Sequence, residues 1–110
     1  MGEEYTVNLT ALAESQLSEI VHYIAEKLQS RSTALKMLKT LKYEISSLSH
    51  MPNRIPLTDE EPWHSEGIHK MTVKNYLVYF WVNEAEKKVQ VTAIIYAGRD
   101  QRSQLEMMNF

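Results

Sequence analysis

The segment that decides the fold is IHKMTVKNYLVYFWVNEAEKKVQVTAIIYAGRDQR, residues 68–102. Two short polar turns separate its apolar runs, which predicts three β-strands joined as antiparallel hairpins. The middle run, residues 76–82, is apolar or aromatic at all seven positions. Because a strand of this kind is covered on both faces, we place it at the centre of a sheet. The segment ends in Gly98-Arg99-Asp100, and its arginine is the first candidate for chemistry or contact.

The last strand, residues 88–96, has apolar side chains at every second position. This alternation predicts that one face of the strand carries Val89, Val91, Ala93 and Ile95. We expect the face of the sheet away from its main cover to be half polar and concave. Its expected members are Lys70, Thr72, Gln90 and Thr92. A concave, half-polar face is a place where a ligand or partner binds.

The residues before this segment predict one more strand and two helices. Residues 4–9 alternate polar and apolar side chains, which indicates a strand with one buried face. Thr10 then offers a hydroxyl that can cap a helix. Residues 11–28 and 33–49 carry apolar side chains in steps of three and four, as amphipathic helices do. A serine between the two helices can cap the second one.

A loop and a short tail complete the predicted fold. Residues 51–67 contain all three prolines and end in a glycine, which excludes a helix or a central strand there. We expect residues 100–110 to form one or two helical turns with Leu105 and Met108 on one side. The sequence therefore predicts a single α+β domain over residues 1–110, with the order β-α-α-β-β-β. Its antiparallel sheet is covered on one face by a helical hairpin.

Composition limits the classes of protein that this chain can belong to. The 110 residues and 44% hydrophobic content fit one domain with one core. The absence of cysteine excludes disulfides, cysteine-based zinc sites and thiol nucleophiles. No apolar run approaches the length of a membrane span and no leader pattern is present, so we expect a soluble, cytoplasmic protein without membrane contact.

The distribution of charge leaves two interpretations open. The net charge of −2 argues against a general nucleic-acid binder, which is usually basic. Residues 68–102 are nevertheless locally basic, with six basic side chains against three acidic ones. This segment predicts either a local basic face or an ordinary solvated surface.

The joint order of these elements resembles the RelE/ParE superfamily of toxins from bacterial type II toxin–antitoxin modules. The resemblance rests on MPNRIPL at 51–57, GIHKMTVKNYLVYFWV at 67–82 and VTAIIYAGRD at 91–100, and it extends from Glu4 to about Leu105. It implies a toxin held inactive by a cognate antitoxin, which wraps a partly helical segment around the helical hairpin and sheet. It also implies a role in plasmid stabilisation and growth arrest, with no cofactor.

The two branches of this superfamily act differently. RelE-like members cut mRNA in the ribosomal A site without a metal, and ParE-like members inhibit DNA gyrase and are not known as nucleases. Metal-free RNA cleavage needs a base, an acid and cations that stabilise the phosphorane. The resemblance implies that Arg99 is such a cation, with Lys70, His69 and Lys74 as further catalytic candidates. The candidates for binding RNA or another target are Arg102, Arg54 and Tyr96.

The sequence departs from the RelE-like pattern at its end, because no Tyr or His follows Arg99. Purely structural roles are also open for these candidates. Arg99 can form a local ion pair with Asp100, His69 can be an ordinary strand histidine, and Tyr96 can be an aromatic residue of the core. The spacing of His64 and His69 does not complete a metal site. We expect ribosome-dependent mRNA cleavage. The alternatives are inhibition of DNA gyrase, or an inactive toxin relative that only binds protein.

Overall fold

A computed structural model describes residues 4–27, 29–98 and 101–108. Its main elements are β1 (Thr6–Leu9), α1 (Ala11–Lys27), α2 (Arg31–Ser46), β2 (His69–Val73), β3 (Tyr76–Asn83), β4 (Lys88–Tyr96) and α3 (Gln101–Leu105). Two short 3-10 helices, Ser47–Ser49 and Pro52–Arg54, lie in the connection between α2 and β2. The order confirms the predicted β-α-α-β-β-β arrangement and the helical turns of the tail.

The four strands form one sheet in the order β1-β4-β3-β2. The three later strands are antiparallel neighbours, as their short turns predict. The first strand lies parallel to β4, with Thr6 opposite Lys88 and Leu9 opposite Val91. The sheet order confirms that β3 is an interior strand, and this position explains why five of its eight residues are buried and none is exposed.

Local capping sets where the two long helices begin. The Thr10 hydroxyl accepts a hydrogen bond from the Ala13 amide at 3.1 Å, and the Ser30 hydroxyl accepts one from the Thr33 amide at 3.2 Å. Both are N-cap interactions, so α2 begins at Arg31, slightly before the predicted residue 33. The Gln16 side chain joins α1 to the sheet, because its oxygen accepts a buried hydrogen bond from the Ile94 amide at 2.8 Å.

A β-bulge in β4 corrects the predicted side-chain pattern of that strand. Phe80 pairs with Val91 and Tyr79 pairs with Ala93, so Thr92 is an extra residue between them. One extra residue reverses which face the following side chains point to. Val91 and Ile94 therefore pack under the helices, whereas Ala93 packs on the other face. The prediction that Val89, Val91, Ala93 and Ile95 share one face was wrong.

The sheet face away from the helices carries a second, smaller core. Its buried members are Trp63, Ile68, Leu77, Tyr79, Ala93, Ile95 and Leu105. Trp63 reaches it from the loop and Leu105 from α3, so part of the face that we expected to be open is covered. Thr92 is fully buried, with its hydroxyl 3.3 Å from the Tyr79 carbonyl oxygen. Among the four polar residues predicted there, Thr72 is exposed, whereas Lys70 and Gln90 are half-buried.

Candidate functional site

Lys70 is the predicted site residue that lies on the second face of the sheet. It is opposite Tyr79 in the β2–β3 pairing, and its Nζ is 3.7 Å from Oε1 of Glu60. The Thr58 hydroxyl donates to the same Glu60 oxygen. Partial burial would raise the pKa of Glu60, but the Thr58 hydrogen bond and the Lys70 charge outweigh it and hold this pKa below its ordinary value. The Lys70 ammonium is therefore paired with an ionised carboxylate.

Two buried donors lie on the same face of β3 as this ion pair. The Tyr79 hydroxyl and the Trp81 indole nitrogen have no hydrogen-bond partner among the described residues. Burial, and then the nearby Glu60 charge, raise the pKa of Tyr79 well above its ordinary value. The hydroxyl is thus protonated at neutral pH and can donate a hydrogen bond to an acceptor that enters from the Lys70 side.

His69 points to the opposite face from Lys70. Its ring stacks on Phe80 with centroids 4.9 Å apart and an interplanar angle of 7°, and Phe80 belongs to the core under the helices. The ring Nδ1 is 2.6 Å from the Ile55 carbonyl oxygen, and the residue is buried. Because successive strand residues alternate between faces, His69 and Lys70 do not meet in one site. The catalytic role of His69 stays a prediction.

Arg102 is held by the loop that also carries Glu60. Its Nη2 donates to the Glu61 carbonyl oxygen at 3.2 Å, and its guanidinium carbon lies 5.3 Å from the centre of the Trp63 ring. A shallow cavity of about 380 Å³ adjoins it. The lining residues are Pro62, Trp63, Glu66, Arg102, Leu105, Glu106 and Met108. Arg102 therefore helps to hold α3 against the loop.

The remaining described candidates lie apart from Lys70. Arg54 donates to the carbonyl oxygens of Met51 at 3.1 Å and of His50, and its Nη2 donates to the Ser47 hydroxyl at 3.0 Å. Lys74 is exposed in the β2–β3 turn with a φ of +56°. Tyr96 is exposed at the end of β4, on the helix side of the sheet. Arg99 lies outside the described residues, so its role stays a prediction.

These positions decide what chemistry the described residues can perform together. They contain no group of three His, Asp or Glu side chains that could hold a metal ion. They also contain no place where the predicted base, His69, reaches the predicted cation, Lys70. The arrangement offers one paired ammonium with protonated donors beside it, rather than an assembled acid–base pair.

A larger concave surface than the cavity beside Arg102 lies elsewhere, between α1, α2 and β1. This groove has a volume of about 680 Å³ and is mostly apolar. Its lining residues are Val7, Leu9, Glu14, Leu17, Ser18, Val21, His22, Ala25, Leu38, Lys42, Ile45 and Ser46. We did not predict the groove from the sequence. The available signal was the small side chains of Ser18, Ala25 and Ser46 beside the apolar stripes of both helices, where they leave room.

Comparison with known proteins identifies the class of protein that this fold defines. The family model for ParE toxins of the parDE type II toxin–antitoxin system matches residues 7–101. The chain therefore belongs to the ParE toxin family. No curated protein matches the sequence. None of the helices that the structure describes has the length and apolarity needed to span a membrane.

Three solved structures show the same fold at low sequence identity. The chromosomal ParDE system of P. aeruginosa matches with a TM-score of 0.67 and 22% identity, over 84% of this chain and 96% of that chain. The RelBE2 toxin–antitoxin complex of Mycobacterium tuberculosis has a TM-score of 0.60 and 15% identity, over 86% and 92%. A free double mutant of the E. coli toxin RelE has a TM-score of 0.57 and 16% identity, over 92% and 93%.

Proposed function

We propose that this toxin acts by binding DNA gyrase and inhibiting it, rather than by cutting mRNA. The observation that carries the proposal is the separation of His69 from Lys70 on opposite faces of the sheet. General acid–base catalysis requires the participating groups within hydrogen-bond reach of one substrate. The described residues keep the two candidates apart, and they engage each of them with another group of the protein.

Electrostatics supports the same proposal. A protein that holds RNA gains much of its affinity from clustered cations that neutralise phosphates. Here Arg54 caps backbone carbonyls, Arg102 contacts the loop, and Lys70 pairs with Glu60. The chain as a whole carries a net charge of −2. A toxin that works through a protein–protein contact does not need a continuous basic surface.

Two assays run on one preparation of the free toxin test this proposal. In the first, bacterial DNA gyrase supercoils relaxed plasmid DNA in the presence of increasing toxin. In the second, translating ribosomes carry a defined mRNA, and cleavage is mapped by primer extension. We expect inhibition of supercoiling and intact transcripts. Full supercoiling at saturating toxin contradicts the proposal.

Cleavage of mRNA on the ribosome is the second candidate function. It is favoured by the position of Lys70 on the second face, beside a protonated Tyr79 hydroxyl for which the described residues supply no hydrogen-bond partner. In this case Lys70→Met lowers the cleavage rate by roughly two orders of magnitude, since the ammonium stabilises developing charge. Lys88→Met is the matched control, because Lys88 is also paired with a glutamate, Glu86, at 3.3 Å. If Lys70→Met leaves the cleavage rate unchanged, Lys70 no longer supports mRNA cleavage as the function.

A cognate antitoxin is the partner that the toxin–antitoxin family implies, and we place it in the groove between α1, α2 and β1. The groove is apolar enough to bind the apolar face of a helix or an extended segment. Ser18 lines it and is exposed, so Ser18→Trp fills the groove without disturbing the core. We expect this variant to bind the antitoxin at least ten times more weakly.

Ser32→Trp is the matched control for this experiment, because Ser32 is exposed on α2 outside the groove. The probe is the product of the short reading frame next to the toxin gene, and affinity is measured by calorimetry. If Ser18→Trp and Ser32→Trp bind the antitoxin with equal affinity, the antitoxin does not occupy the groove.

A further inference from the structure

Three distant segments of the chain meet at the carboxylate of Glu84, in the turn between β3 and β4. Its Oε1 accepts a hydrogen bond from the Tyr5 hydroxyl at 2.8 Å and another from the Lys87 ammonium at 3.1 Å. Its Oε2 accepts one from the Asn53 side-chain amide at 2.6 Å. Both carboxylate oxygens are therefore engaged, and we call these four residues the Glu84 clamp.

The members of the Glu84 clamp support one another. The Lys87 ammonium lies 5.2 Å from the centre of the Tyr5 ring, which permits a cation–π contact. The hydrogen bond from Tyr5, and then those from Asn53 and Lys87, hold the pKa of Glu84 below its ordinary value, so the carboxylate is ionised at neutral pH. Because these contacts are exposed to solvent, we expect the clamp to act on one strand rather than on the stability of the whole fold.

The strand that depends on this contact is β1. It has only four residues, and it lies at the edge of the sheet, where β4 is its neighbour. Its C-terminal end is held by Thr10, whose amide donates to the Val91 carbonyl at 2.9 Å and whose hydroxyl caps α1. Short edge elements with few contacts open more easily than the centre of a sheet. The other end of β1 therefore needs its own attachment.

The Glu84 clamp supplies this attachment at the N-terminal end of β1. There the Tyr5 amide donates to the Ser49 carbonyl at 2.8 Å, and the Thr6 amide donates to the Lys87 carbonyl at 2.9 Å. Ser49 lies in the connection that also carries Asn53, and Lys87 is itself a member of the clamp. One carboxylate thus joins Tyr5 to both of the segments with which the backbone of residues 5–6 pairs.

The position of β1 shapes the groove between α1, α2 and β1. Val7 and Leu9 line this groove, are half-buried and pack against the core under the helices. Since successive strand residues alternate between faces, a strand that is fixed at Tyr5 directs Val7 and Leu9 to the same side. If β1 leaves the sheet, the groove loses one of its walls.

We propose that Glu84 is a positioning residue, which docks β1 onto β4 and thereby shapes the groove for its partner. The inference rests on the proposed function only where it takes the antitoxin as the molecule in the groove. Glu84 does not line the groove itself, so it acts through Tyr5 and β1.

Hydrogen exchange of the free toxin, measured by NMR, is the first part of the test. The Thr6 amide reports on the docking of β1, because it donates to the Lys87 carbonyl across the strand pair. The Ile94 amide reports on the interior of the sheet, because it donates to the buried Gln16 oxygen. A local opening of β1 changes the exchange of Thr6 and leaves that of Ile94 as it was.

We expect Glu84→Ala to lower the protection of the Thr6 amide about tenfold, and to change that of the Ile94 amide less than about twofold. Glu86→Ala is the matched control, since Glu86 lies in the same turn and its carboxylate is 3.3 Å from Nζ of Lys88. This control should leave both amides unchanged. Unchanged protection of Thr6 in Glu84→Ala overturns the inference, and so does an equal fall at Thr6 and Ile94, which indicates a general loss of stability.

Tyr5→Phe tests whether Glu84 acts through Tyr5, because this change removes only the hydroxyl. We expect it to lower the protection of Thr6 in the otherwise wild-type protein. In the double variant with Glu84→Ala it should have no further effect, because the two changes remove the same hydrogen bond. Additive effects of the two changes contradict the proposed route from Glu84 to β1.

The second part of the test repeats the measurement with saturating antitoxin, the product of the short reading frame next to the toxin gene. A molecule that binds against β1 favours the docked strand, so we expect it to restore the protection of Thr6 in Glu84→Ala. If Thr6 exchanges equally fast with and without antitoxin, the antitoxin does not occupy the groove and Glu84 does not shape the groove for it. Loss of protection in the free variant still assigns the docking of β1 to Glu84, so the two failures are distinguishable.

Discussion

The ammonium nitrogen of Lys70 lies 3.7 Å from a carboxylate oxygen of Glu60, on the sheet face away from the helical hairpin. Glu60 belongs to the proline-containing loop and Lys70 to an edge strand, so the pair ties the loop to the sheet. Lys70 is therefore not a free cation that waits for a substrate. Any anion that uses Lys70 must first compete with Glu60.

Glu60→Gln should lower the free energy of unfolding by about 1 kcal/mol or less near neutral pH, because the ion pair is partly exposed. The pKa of Glu60 is below its ordinary 4.5 in the folded protein. Its contribution to stability is thus present above the unfolded pKa and is lost as the pH falls through the folded pKa. Urea unfolding of wild type and variant should differ at about pH 7 and converge at about pH 3.

Glu86→Gln is the control for this measurement, because Glu86 makes a more exposed pair with Lys88. A difference between wild type and Glu60→Gln that persists at acidic pH would show that the glutamine acts through something other than the lost charge.

His69→Ala should destabilise the fold by about 2–4 kcal/mol, because it removes a buried ring and its hydrogen bond to the Ile55 carbonyl. Guanidinium unfolding measures this loss, and His22→Ala on the exposed face of α1 should cost far less. If His69 is catalytic instead, His69→Ala should leave the stability nearly unchanged and abolish toxicity.

Arg54→Ala should cost about 1–2 kcal/mol, because backbone carbonyls after α2 lose a charged donor. Arg31→Ala serves as the control, since Arg31 is exposed at the start of α2. Thermal unfolding reports the difference. If Arg54 instead contacts the target, its removal abolishes inhibition in a protein of unchanged melting temperature.

Leu105→Ala should destabilise the protein by about 2–4 kcal/mol, because Leu105 is fully buried in the second core against the sheet. Met107→Ala, two residues further along, removes a side chain that is 57% exposed and should be close to neutral. Equal stability of both variants, measured by chemical denaturation, would mean that α3 is not a fixed part of the second face.

The elements of this fold are readable from sequence because their signals are local. Thr10 and Ser30 cap the helices as their positions predict, and the uninterrupted apolar run of β3 indicates a central strand. The bulge at Thr92 cannot be predicted from such local signals. The change of face that it causes depends on how β4 pairs with Tyr79 and Phe80, which are more than ten residues earlier in the chain.

The sequence by itself determined the order of the elements and the family, because hydrophobic periodicity, capping residues and turn composition act over a few residues. Only the tertiary structure decided that His69 and Lys70 face apart, that a groove opens beside α1, and that the rings of Tyr76 and Tyr96 meet edge to face. Each of these depends on contacts between residues distant in the chain. Side-chain direction, burial and pairing at such contacts follow from packing as a whole and not from local pattern.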